Sequence, residues 1–184
     1  MTRVIVIFTL LLSACGADMP KHAAIPSGAS VLILGDSLSY GTGTEPGQDY
    51  VTLLTNTSGW QLINAAVPGD TTSDGLARLL TLLEKHQPKL LIVELGGNDL
   101  LRQVPATQIE QNLKSVLTLA KAQGVKTVLV AILAISPLIA DVFSEVLSDR
   151  TMKADQIHPN AKAYAEIAVH MQTQLKQLGF LQQQ

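Results

Sequence analysis

The chain has 184 residues, 47% of them hydrophobic but only 4% aromatic, with a formal net charge of −2 and a single cysteine. That length suffices for one domain with a real core, built from Leu, Ile, Val and Ala, which suits a buried parallel sheet. The near-neutral charge excludes a basic nucleic-acid face, and one cysteine excludes an intrachain disulfide or a cysteine-based zinc cluster.

In chain order, the first segment reads as a targeting signal. Arg3 is a short positive region, and residues 4–12 are an apolar run too short for a membrane span. Leu12-Ser13-Ala14-Cys15 resembles the lipobox of bacterial lipoproteins. The resemblance implies cleavage after residue 14, lipidation of Cys15, and sorting past Gly16 to the outer membrane. The alternative is an ordinary signal peptide with an incidental cysteine. The expected organisation is a signal peptide at 1–14, a lipidated tether at 15–29 and one domain at 30–184. The expected location is the bacterial cell envelope, with the domain facing the periplasm or surface.

Residues 31–35 read as a first strand, and 41–47, rich in Gly and Pro, as a loop. A short helix is expected over 49–57 and a second strand over 60–66, with a turn at 67–70. Ser73 is the expected cap of a helix over 74–86, where Leu76, Leu79, Leu80 and Leu83 have helical spacing. Pro88 ends it, and 89–95 is a buried third strand. A helix over 107–123 carries Ile109, Leu113, Val116, Leu117 and Ala120 on one face, with Gly124 as its stop. A fourth strand covers 125–132, and a last helix covers 159–178 with Pro159 at its start. Strands alternating with helices across short loops predict an α/β domain of three layers around a parallel sheet.

The chemistry-bearing residues follow strand ends or precede the last helix, where open α/β sheets bind ligands. Ser37 in Gly35-Asp36-Ser37-Leu38-Ser39 is the candidate nucleophile. A serine hydroxyl needs a base to take its proton. His158 is the candidate base, and Asp155, three residues earlier, is placed to orient its ring. A developing oxyanion needs donors: the Ser37 N–H, the Gly69 N–H and the Asn98 amide are the candidates, one after each of three consecutive strands. Read singly, each of these residues also has a turn or helix-cap role. His22, His86 and His170 lie in the tether or on helices and carry no expected chemistry.

Gly35-Asp36-Ser37-Leu38-Ser39, Gly69, Gly96-Gly97-Asn98-Asp99 and Asp155-Gln156-Ile157-His158 together resemble the four blocks of the GDSL/SGNH hydrolases. Residues 64–72 and 93–99 extend the resemblance to the bacterial arylesterase and periplasmic thioesterase/lysophospholipase branch, and it spans about residues 30–175. It implies a flavodoxin-like three-layer fold and a serine esterase with no metal or cofactor. Ser37 is then the nucleophile, His158 the base and Asp155 its partner, with Ser37, Gly69 and Asn98 as the oxyanion hole. Asp36 and Asp99 are expected to fix loops.

The chain departs from that branch after the fourth strand. Residues 128–135 run almost directly into 136–143, leaving no room for the further helix and edge strand that the resemblance calls for. The setting of Asp155 and His158 is therefore the open structural question. The expected substrate is a short- to medium-chain acyl ester or thioester, or a lysophospholipid, with the lipid anchor as the membrane contact. The rival readings are a carbohydrate O-acetylesterase and a lipoprotein whose catalysis was lost with the deleted unit. Trp60 and three Tyr offer little platform for sugars.

Overall fold

The computed structural model describes residues 22–130 and 149–182. Its centre is a parallel sheet of four strands: β1 (Ser30–Gly35), β2 (Gln61–Asn64), β3 (Leu90–Glu94) and β4 (Lys126–Leu129), in the order β2-β1-β3-β4. β1 and β3 are the central pair, with Leu32 opposite Leu91 and Gly35 opposite Glu94. Both read as unbroken apolar runs because both of their faces are covered.

Side chains alternate across each strand, so the sheet feeds two cores. Val31, Ile33, Leu90 and Ile92 pack against α2 (Tyr50–Ser58) and the last helix, α6 (Ala161–Gln177), through Tyr50, Leu54, Tyr164 and Ile167. Leu32, Leu34, Leu91 and Val93 pack on the opposite face against α3 (Thr72–His86) and α5 (Ala106–Ala122), through Leu79, Leu83 and Val116. The three expected layers are present.

Several local expectations are corrected. Thr71, not Ser73, caps α3: its side chain accepts the Asp74 N–H, and Asp74 Oδ2 accepts the Thr71 N–H in return. The acid three residues after Thr71 makes the reciprocal box that Ser73 could not form. Two short helices, α1 (Ser37–Tyr40) and α4 (Gly97–Leu101), follow β1 and β3. Four or five residues carry too little periodicity to announce a helix. α6 starts at Ala161 with Asn160 as its cap, two residues beyond Pro159.

The described part of the expected tether is docked. Ile25 is buried, its N–H bonds to Phe180 O at 2.8 Å, and its carbonyl accepts the Trp60 indole N–H at 3.2 Å. His22 stacks on Phe180 with ring centroids 4.5 Å apart. Burial of one Ile and one ring face outweighs the freedom that the small polar residues around them favour. The expected signal peptide at 1–14, Cys15, residues 16–21, the end of the fourth strand at 131–132 and the stretch 133–148 lie outside the described residues.

Candidate active site

β1 ends in a turn that only a particular set of residues allows. Asp36 Oδ1 accepts the Leu38 N–H at 3.0 Å and caps α1, which puts Ser37 on the first turn at the carboxyl edge of the sheet. Gly35 must lack a side chain, because an added Cβ would collide with the Ser39 side chain and come within 3.1 Å of Glu94 Oε2. The strand end is thus closed over by its own following turn.

The second half of the site comes from the loop before α6. The 3₁₀ turn Arg150–Met152 is capped by Asp149, and Lys153 and Pro159 form an antiparallel bridge. Ala154 N–H donates to His158 O at 2.9 Å. Asp155 Oδ1 accepts the N–H groups of Ile157 and His158, each at 2.8 Å, which folds residues 155–158 into a tight Asx turn. Asp155 Oδ2 then lies 2.7 Å from His158 Nδ1. These bonds, led by that of His158, hold the Asp155 carboxyl down at about 2.

The two halves meet at Ser37. His158 Nε2 lies 3.1 Å from Ser37 Oγ, so hydroxyl, imidazole and carboxylate form one continuous relay. The approach depends on Gly43, whose φ of +98° suits glycine and whose missing side chain leaves room for Pro159 O and the Cβ of His158. Tyr164 on α6 ties down the same loop by donating its hydroxyl to Thr42 O at 2.9 Å.

The candidate oxyanion donors sit on the adjoining strand ends. Gly69 lies in the turn after β2 with φ +89°, and its carbonyl accepts from Arg102 at 2.8 Å. The N–H groups of Ser37 and Gly69 meet no acceptor among the described residues. Asn98, on α4, points its amide nitrogen at Asp36 Oδ2 and at Asp70 O, both at 3.0 Å. It therefore laces the turns after β1, β2 and β3 together.

Asp36 and Asp99 do fix loops. Asp99 accepts the Thr72 N–H at 2.8 Å and the Thr72 hydroxyl at 2.6 Å, joining α4 to the start of α3. Asn112 on α5 donates to the same hydroxyl at 3.0 Å. Arg78 on α3 bonds Asp70 at 2.8 Å and reaches the carbonyls of Ala65 and Gly35.

Beneath α1 lies a group that sequence reasoning left without a role. Glu94, at the end of β3, is completely buried. Its Oε2 accepts the Ser39 hydroxyl at 2.7 Å and the Ser39 N–H at 3.1 Å, and Ser39 Oγ is 2.6 Å from Tyr50 Oη. Burial first, and the neighbouring Asp36 charge second, push the Glu94 carboxyl well above the usual carboxylate range. Burial also raises Asp36. The available signal was an acid inside the apolar run 90–95, in a strand that the sequence marks as buried.

Among the described residues, no three His, Cys, Asp or Glu side chains are grouped as a metal site. Comparison with known proteins points one way. The model of the GDSL-like Lipase/Acylhydrolase family matches residues 33–168. Esterase TesA of Pseudomonas aeruginosa is 39% identical over 130 residues, which are 67% of this chain and 63% of that protein. The chain thus spans less than two thirds of that relative's length. Thioesterase 1/protease 1/lysophospholipase L1 of Escherichia coli K12 is 38% identical over 177 residues, covering 81% of this chain and 84% of that protein. Among solved structures, the psychrotrophic esterase EstA from Pseudoalteromonas, inhibited by monoethylphosphonate, is 28% identical with a TM-score of 0.73, covering 80% and 97% of the two chains.

Proposed function

From the premise that this chain belongs to the GDSL-like lipase/acylhydrolase family, we propose that it is a serine esterase working through an acyl-enzyme. The observation that carries the reading is the 3.1 Å contact between Ser37 Oγ and His158 Nε2, backed by Asp155 at 2.7 Å.

Ser37 Oγ attacks the ester carbonyl carbon while His158 Nε2 takes its proton. The Asp155 carboxylate holds the tautomer with hydrogen on Nδ1 and faces the imidazolium as it forms. The carbonyl oxygen, now an anion, takes the N–H groups of Ser37 and Gly69 and the Asn98 amide, which exchanges an existing acceptor for it. Collapse breaks the bond to the leaving alcohol or thiol, which receives the proton from His158. Water, giving its proton to the same nitrogen, then attacks the acyl-Ser37 carbonyl; collapse breaks the bond to Ser37 Oγ, which takes the proton back from His158 as the acid leaves.

Substrates are short- to medium-chain acyl esters or thioesters, or lysophospholipid, in keeping with the names of the relatives. Exposed Leu101, three residues after Asn98, and Ile157, next to His158, suit an acyl chain better than a sugar. The reading includes a lipid anchor on Cys15 and a place in the cell envelope, supported by the Leu-Ser-Ala-Cys pattern alone. The relay geometry counts against a catalytically dead lipoprotein. The test is hydrolysis of p-nitrophenyl acetate and butyrate by the purified protein and by Ser37→Ala. Release of p-nitrophenol by the first only is expected, and equal rates would overturn the reading.

A further inference from the structure

We propose that Glu94 is a positioning residue of this site: from beneath α1 it fixes the Asp36–Ser39 turn that presents the nucleophile and, through Asp36, the amide of Asn98. The inference rests on the esterase reading above and assigns a role to a side chain that the relay itself does not use.

The contacts form one line through the floor of the site. The Ser39 hydroxyl donates to Glu94 Oε2, leaving Tyr50 Oη as the donor to Ser39 Oγ. The Ser39 N–H reaches the same Glu94 oxygen. Glu94 lies against the Asp36 side chain, whose Oδ2 accepts from Asn98 and whose Oδ1 accepts the Leu38 N–H. Among the described residues no donor meets Oε1 of Glu94 in hydrogen-bond geometry, although the Asp36 N–H also faces this carboxyl. Among the described residues, the titratable groups that face Glu94 are Asp36 after β1, Tyr50 on α2 and Tyr164 on α6, and His158 faces Asp36 from the far side of the site.

Two carboxyl groups buried side by side disfavour a second charge, and His158 faces only the Asp36 member, so the proton falls to Glu94. A proton held by Glu94 resolves the conflict. It gives the orphaned oxygen a donor role toward Asp36 and leaves Asp36 as the acceptor that Asn98 and Leu38 require. Register makes the arrangement obligatory, since Gly35 and Glu94 are direct partners across β1 and β3. The absent Gly35 side chain is what lets Ser39 fold back over Glu94.

The test compares Glu94→Gln with Glu94→Leu. The amide is neutral, accepts from Ser39 and donates to Asp36, so kcat/KM for p-nitrophenyl butyrate should stay within about threefold of wild type. Leucine strands Ser39 and Asp36, and kcat should fall on the order of 100-fold with KM little changed, as for a misplaced reacting group. A second readout needs no turnover: the infrared difference spectrum, wild type minus Glu94→Gln at neutral pH, should contain the C=O stretch of a protonated carboxylic acid. If wild type lacks esterase activity the mechanistic reading fails, while the infrared band still decides whether Glu94 is held as an acid. A carboxylate band in that spectrum overturns the proposal. So does a Glu94→Gln variant as impaired as Glu94→Leu, or a Glu94→Leu variant with wild-type kcat. Should Glu94→Leu fail to fold, Glu94→Gln and the spectrum decide it.

Discussion

Replacing Asp155 with Asn strikes the relay at its most exposed member, and the structure sets the size of the effect. Asp155 serves three donors: the Ile157 and His158 N–H groups on Oδ1 and His158 Nδ1 on Oδ2. An asparagine has one oxygen for them. If that oxygen stays with the backbone, Nδ2 faces Nδ1 and forces the ring proton onto Nε2, which then cannot receive the proton of Ser37. If the amide turns over, Nδ1–H keeps an acceptor but two backbone N–H groups lose theirs. At about 1 kcal/mol each, the turned form lies about 2 kcal/mol up, a population loss of roughly 30-fold. Removing the charge that faces the imidazolium adds about 1–2 kcal/mol, since a charge-assisted bond is about twice as strong as a neutral one. kcat for p-nitrophenyl butyrate should therefore fall by on the order of 10²- to 10³-fold, with KM within about threefold. Asp155 is 53% exposed, so the melting temperature should barely move. A loss of less than tenfold, or one confined to KM, would refute the assignment.

Three further outcomes are expected. Thr72→Val removes a hydroxyl bonded to both Asp99 and Asn112, all three buried, and should cost about 2–4 kcal/mol in urea unfolding; a change under about 0.5 kcal/mol would contradict the clamp. Gly43→Ala places a Cβ 2.6 Å from Pro159 O at a φ of +98°, which should push His158 away from Ser37. Slower labelling of Ser37 by a fluorophosphonate, by about tenfold or more, is the expected readout, and an unchanged rate would show that the contact is not needed. The pH dependence of stability carries the third. The Asp155 carboxyl, at about 2 when folded against 3.8 as a free group, stabilises the fold above pH 3.8, and the effect is lost as pH falls through about 2. Screening at this exposed site holds it to about 1 kcal/mol or less. The wild-type advantage over Asp155→Asn in urea should shrink across that window, and a constant gap would exclude the linkage.

What could be read from the residues was whatever announces itself by side-chain chemistry or by repetition. Ser37, Asp155 and His158 each belong to a type that is conspicuous at a strand end or before a helix, and the apolar runs of β1 and β3 needed no partner to be recognised. The polar floor of the site was different. Glu94, Ser39 and Tyr50 come from β3, α1 and α2, and only the pairing of Gly35 with Glu94 brings them together. The docking of Ile25 was hidden in the same way, because its partners Trp60 and Phe180 are remote in sequence. The α3 cap was a nearer miss. Thr71, Thr72 and Ser73 are all capping types, and the acid three residues after Thr71 was the discriminating mark.

The stretch after the fourth strand, read from the sequence as shortened, raised the question of whether His158 could reach Ser37. Among the described residues, the contacts that hold His158 come from two places. One is its own loop: Asp155 wraps the ring from Nδ1, Ala154 holds the His158 carbonyl, and Asn160 bonds Thr151 O and Met152 O while capping α6. The other is the turn after α1, where Gly43 admits the loop and Thr42 anchors Tyr164. α6 is in turn seated on α2 through Tyr50, Leu54, Tyr164 and Ile167, which belong to one apolar core. The base is thus presented by the loop leading into α6, a helix that packs beside the Ser37 turn on the same face of the sheet. All of those contacts are made between described residues. The parts of the site that depend on strand order, the turns after β2, β1 and β3, are laced by Asn98 and lie upstream of the stretch after β4. The reacting groups are thus held by described elements on either side of residues 131–148.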